Sequence, residues 1–134
     1  MGQIPQSPQS ATVLVVEDEE PLRTALKKML TKVGFGVLEA ANGSEAIELL
    51  RGEPGQIELL LLDLTIPGAT SQDVLAEAVN SRPDLKIILT SAYTEQIVGA
   101  KLRAPQVCGF VRKPLPFGEL VEKLLSALSS STAS

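Results

Sequence analysis

Residues 57–62 read Ile-Glu-Leu-Leu-Leu-Leu, and the residue that follows is Asp63. A run this short and apolar, with the breaker Pro54-Gly55 just upstream, has the length of a β-strand. Its near-continuous apolar character, in place of strict alternation, predicts a strand covered on both faces, as in a parallel sheet between two layers of helices. The flanking sequence repeats the theme. Thr12–Val16 (TVLVV) is a second short β-branched run, stopped by Glu17-Asp18-Glu19-Glu20. Pro21 suits the first turn of a helix, and Leu22, Leu26, Met29, Leu30 and Val33 form one apolar stripe ending at Gly34. A weaker strand at Gly36–Ala40 leads through Asn42-Gly43 into a helix carrying Ala46, Ile47, Leu49 and Leu50.

Beyond Asp63 a Pro/Gly/Ser/Thr loop at 66–71 opens a helix over 72–80, with Val74, Leu75, Ala78 and Val79 inward. KIILT at 86–90 is the fourth strand, 94–101 a short helix, Val107–Arg112 the fifth strand, and 117–128 a final helix with Leu120, Val121, Leu124, Leu125 and Leu128 on one side. Five apolar strands alternating with five helical patterns make repeated βαβ units, so the fold class is α/β: a doubly wound parallel sheet with helices on both faces. The domain is expected at 11–128, between polar, flexible segments at 1–10 and 129–134.

Composition narrows the function. The 134 residues are 44% hydrophobic and 21% charged, with net charge −4, a soluble globular balance without the basic face of a nucleic-acid binder. One cysteine, Cys108, and no histidine exclude an internal disulfide, His- or Cys-based zinc sites and histidine-dependent nucleophilic catalysis. Cys108 reads as a small apolar filler. No run is long enough to span a membrane, and residues 1–10 lack the basic-then-apolar pattern of a secretory leader. A cytoplasmic setting is the default expectation.

In a doubly wound fold the reactive groups gather at the carboxyl ends of the strands. Strand one delivers Glu17 and Asp18, strand three Asp63, strand four Thr90 and Ser91, and strand five Lys113 followed by Pro114. Clustered carboxylates repel unless a cation compensates, and an all-oxygen donor set favours Mg²⁺. A lysine adds a point charge for a carboxylate or a phosphoryl oxygen. Together these groups suit phosphoryl transfer, with a carboxylate as nucleophile.

Four stretches carry a family resemblance: VLVVEDEEPLR at 13–23, LLLLDLTIPG at 59–68, IILTSAY at 87–93 and GFVRKPLPFGEL at 109–120. In this order, at matching strand ends, they resemble the signature stretches of receiver domains in two-component signalling, over about residues 11–128. The resemblance implies a flavodoxin-like sheet of order 2-1-3-4-5. It implies that Asp63 is the phosphoacceptor, that Glu17 and Asp18 hold Mg²⁺ with Asp63 and the backbone carbonyl of Thr65, and that Ser91 is the hydroxyl that moves to the phosphate. Ser91 is preferred to Thr90 because a small residue, Ala92, follows it and because its step to Lys113 fits the family. Lys113 is the site lysine, joined by a cis bond to Pro114, and Phe110 is the aromatic switch residue. The implied partner is a sensor histidine kinase or histidine phosphotransfer protein, with a downstream protein the sequence does not name. Neither nucleic acid nor membrane is implied as a partner, and a homodimer stays open. The chain would be a signalling phosphoacceptor, at most catalysing its own phosphotransfer and dephosphorylation.

Glu17 stands where the family more often has Asp, Ser71 where glycine is common, and Pro105 interrupts the stretch before strand five. Simpler readings compete. Glu17 and Asp18 could be ordinary acids at a helix start, and Phe110 ordinary core. A degenerate receiver that only docks proteins would not need the full set of acids, Ser91 and Lys113. A Mg²⁺-dependent phosphohydrolase of the haloacid-dehalogenase type wants a second Asp where Thr65 stands. The resemblance fits both free-standing receivers and those within hybrid histidine kinases.

Overall fold

The computed structural model describes residues 11–52, 57–66, 68–93 and 106–130. In chain order these form β1 (Thr12–Val16), α1 (Glu20–Val33), β2 (Gly36–Ala40), α2 (Gly43–Gly52), β3 (Leu59–Asp63), α3 (Ser71–Ser81), β4 (Lys86–Ser91), β5 (Val107–Arg112) and α4 (Phe117–Ser130). The expected helix at 94–101, the interruption at Pro105, the break at Pro54-Gly55 and the segments 1–10 and 131–134 lie outside the described residues. The final helix runs two residues past the expected boundary at 128.

All strand pairs are parallel, in the order β2-β1-β3-β4-β5, so the fold is the doubly wound, flavodoxin-like sheet. Alternation within the apolar strands builds two separate cores. Leu14, Val16, Leu60, Leu62, Ile87 and Leu89 point to one face and pack on Ala46 and Leu50 of α2 and Val74, Leu75 and Ala78 of α3. Val13, Val15, Leu59, Leu61, Ile88 and Val111 point to the other, under Leu26 and Leu30 of α1 and Leu120, Leu124 and Ala127 of α4. Each fully buried Leu or Ile contributes about 1.5–3 kcal/mol of transfer free energy.

Local signals set the helix starts. Thr70 accepts from the Asp73 amide while Asp73 accepts from the Thr70 amide, a reciprocal cap on α3. Asn42 accepts from the Glu45 amide, and Glu45 accepts from the Ala41 amide, capping α2. Gly43 is required for contact: a Cβ there would lie 2.0 Å from the Ala69 carbonyl oxygen, which presses the start of α2 against the loop beyond Asp63.

Three side chains depart from expectation. Val33 and Val79 are each 37% exposed; Val33 is the last residue of α1, and Val79 sits at the edge of the stripe set by Val74 and Ala78. Cys108 is exposed and is not a core filler. Ile87 pairs with Val107 and Ile88 with Gly109, which makes Cys108 the unpaired extra residue of a bulge on edge strand β5.

Candidate functional site

The carboxyl ends of β1, β3, β4 and β5 meet at one rim because parallel pairing aligns them. Val16 pairs with Leu62, Asp63 with Thr90, and Ser91 with Arg112. Asp63 is the last residue of β3 and only 1% exposed, and Glu17, immediately after β1, is 2% exposed. Asp18 is exposed. Carboxylate oxygens of these three residues lie within 4.8 Å of one another.

Two buried carboxylates at this separation need a cation, and Lys113 supplies it. Its Nζ lies 2.9 Å from Asp63 Oδ2, 3.0 Å from Glu17 Oε1 and 3.8 Å from Glu19 Oε1. The other Asp63 oxygen, Oδ1, accepts from the Thr65 amide at 3.0 Å and the Thr65 hydroxyl at 3.1 Å. Glu17 Oε2 also accepts from the Glu19 amide. The Lys113 amide donates to the Ser91 carbonyl, and the bond from Lys113 to Pro114 is cis.

Three acidic groups around one ammonium leave negative charge in excess. Burial pushes the Glu17 carboxyl up to about 7, helped by the charge of Asp63 and opposed by the Glu19 amide and Lys113. Burial alone would lower the affinity of Lys113 for its proton, but Asp63 and Glu17 outweigh it and hold the ammonium above its usual value.

Ser91 and Thr90 are both buried at the end of β4. Ser91 Oγ accepts from the Tyr93 amide at 2.9 Å, and no hydrogen bond joins it to Asp63. Phe110 is half-buried against the core cluster that includes Val16, Leu62 and Leu89, one strand away from the acidic rim. Glu17, Asp18, Asp63, Thr65 and Lys113 are therefore brought together, whereas Ser91 and Phe110 stand beside them.

The structure adds contacts to main-chain oxygens that sequence reading does not assign. Ser71 donates to the Asp63 main-chain oxygen, tying the start of α3 to the end of β3. Arg23 donates to the Glu17 main-chain oxygen, and Arg112 donates to the Ala92 carbonyl across the β4 end. Ser71 is visible in the sequence as a departure at a position where glycine is common. Arg23 and Arg112 give no signal, since spacing does not reveal a side chain reaching a main-chain oxygen.

A protein-family model described as the response regulator receiver domain matches residues 13–125. The chain is 35% identical over 111 residues to the sensor kinase CckA of Brucella abortus, covering 83% of this chain and 12% of that protein. It is 32% identical over 118 residues to the response regulator receiver protein CpdR of the same organism, covering 86% of this chain and 97% of CpdR. Among solved structures it resembles the response regulator protein TrrA of Thermotoga maritima, in complex with Mg²⁺ and BeF, at TM-score 0.75 and 32% identity, covering 87% of this chain and 98% of that one.

Proposed function

The chain belongs to the response regulator receiver domain family, and on that premise we propose that Asp63 accepts a phosphoryl group from the phosphohistidine of a histidine kinase or histidine phosphotransfer protein. The observation that carries this reading is the pairing of the buried Asp63 carboxylate with Lys113 Nζ at 2.9 Å, beside Glu17 and Asp18. An Asp63 oxygen attacks phosphorus as the phosphorus–nitrogen bond to the partner's imidazole breaks, and the imidazole leaves with the electron pair. Thr65 fixes the orientation of the carboxylate through Oδ1, and Lys113 neutralises charge on the acylphosphate as it forms. Later attack by water breaks the new phosphorus–oxygen bond and restores Asp63.

Oxygen donors alone, close together and open to solvent on the Asp18 side, fit a hard divalent ion that keeps some of its water. Mg²⁺ would be held by Glu17, Asp18, Asp63 and the Thr65 carbonyl, and would supply positive charge to the phosphoryl oxygens. On phosphorylation Ser91 gives up its bond from the Tyr93 amide and turns to the phosphoryl group, and Phe110 repacks. A local charge change thus biases a two-state surface around β4 and β5 that a downstream protein reads. CckA is named a sensor kinase and CpdR a response regulator receiver protein, which supports a kinase-linked role for either setting of this domain. The domain limits 11–128 are part of the proposal.

The experiment is labelling by acetyl phosphate with and without Mg²⁺, read by intact mass. The wild-type chain gains one phosphoryl group only with Mg²⁺, and Asp63→Asn gains none. Undiminished labelling of Asp63→Asn overturns the assignment.

A further inference from the structure

The two ends of the Glu17 residue are held differently. Its amide donates to the Ala40 carbonyl at 3.0 Å, which is the last rung between β1 and β2. Its carbonyl lies past the sheet and accepts from Arg23 Nη1 at 2.8 Å. Arg23 is in turn aimed by β2, because its Nε lies 3.4 Å from Glu39 Oε1. Lys27 Nζ occupies the other oxygen of Glu39 at 3.2 Å. The Glu17 side chain has its own anchors in Lys113 and the Glu19 amide. Among the described residues, no hydrogen bond or ion pair holds the exposed Asp18 carboxylate, so the backbone it hangs from is what bounds its reach.

We propose that Arg23 is a positioning residue: by clamping the Glu17 carbonyl to Glu39 it fixes the 17–18 peptide plane, and through it the Asp18 carboxylate that completes the three-acid cluster. The planar guanidinium fork can face a carbonyl with Nη1 and a carboxylate with Nε at once. A lysine ammonium at the end of a flexible stem lacks that fixed geometry. The proposal rests on the metal reading under the proposed function, and it makes a prediction opposite in sign to simple electrostatics. Removing a positive charge near a cation site should tighten cation binding. Removing a clamp should loosen it.

The test compares the wild type with Arg23→Met, Arg23→Lys and Lys27→Met, the last losing a contact to the same Glu39 without touching Glu17. Mg²⁺ affinity is measured by calorimetric titration, and hydrogen exchange of the Glu19 amide is measured by NMR in metal-free protein. Arg23→Met weakens Mg²⁺ about tenfold, as loss of an outer-shell partner does. Arg23→Lys fails to restore it, and Lys27→Met leaves it unchanged. Exchange at the Glu19 amide, which donates to Glu17 Oε2, accelerates in Arg23→Met and Arg23→Lys and not in Lys27→Met. Equal or tighter Mg²⁺ binding by Arg23→Met, or unchanged exchange, overturns the proposal. A wild type that binds no Mg²⁺ removes the metal reading instead, and the exchange measurement then decides the role of Arg23 by itself.

Discussion

Glu17→Gln should stabilise the metal-free protein at pH 8 and abolish most of its pH dependence between pH 5 and 8. The Glu17 carboxyl is raised from 4.5 to about 7 in the folded chain, chiefly by burial. Between those values the folded state holds a proton that the unfolded state has released. Stability therefore falls as pH rises through this window, the reverse of the usual salt-bridged carboxylate. Each unit of difference corresponds to about 1.4 kcal/mol, so ionising Glu17 in the fold costs on the order of 2–3 kcal/mol by pH 8. The window is unusually clean because the chain contains no histidine, the side chain that ordinarily titrates there. The assay is urea unfolding followed by far-ultraviolet circular dichroism at several pH values with a chelator present. Wild-type stability should decline across the window, Glu17→Gln should stay nearly level, and saturating Mg²⁺ should flatten the wild-type curve by replacing the proton as counter-charge. A wild-type stability that rises from pH 5 to 8, or a Gln variant with the same slope, would refute the reasoning.

Lys113→Met leaves Glu17 and Asp63 buried without their ammonium. Unfolding should show a loss of about 3–5 kcal/mol at pH 8 and a smaller loss at pH 5.5, where Glu17 is protonated; equal losses at both would count against the shared ion pair. Gly43→Ala, ordinarily favourable by about 1 kcal/mol within a helix, should instead destabilise by about 1–3 kcal/mol, because its Cβ meets the Ala69 carbonyl oxygen at 2.0 Å. A raised melting temperature for that variant would contradict the close approach of α2 to the loop beyond Asp63.

How far the sequence reveals each feature depends on the range over which its signal acts. The Leu59–Leu62 run announces a doubly covered strand because burial on both faces acts on every consecutive side chain, and the two cores bear this out. The convergence of Glu17, Asp18, Asp63 and Lys113 is legible for a related reason. In a parallel sheet every strand end faces the same way, so the residues just past each strand nearly define the rim. Cys108 is misleading in sequence because a one-residue bulge on an edge strand leaves apolar periodicity almost intact while turning one side chain outward.

The contacts that tune the site are illegible because they join side chains to main-chain oxygens, which every residue possesses. Arg23 reaches Glu17, Ser71 reaches Asp63, and Arg112 reaches Ala92 in this way. The same fact explains why a glutamate can stand first in the acidic pair. Its longer arm folds back so that Oε1 meets Lys113 Nζ at 3.0 Å while Oε2 accepts from Lys113 at 3.2 Å and from the Glu19 amide at 3.1 Å, and its main-chain oxygen accepts from Arg23. Charge at this rim is set by residue type, which a sequence displays, whereas its geometry is set by backbone hydrogen bonds, which only the folded chain displays.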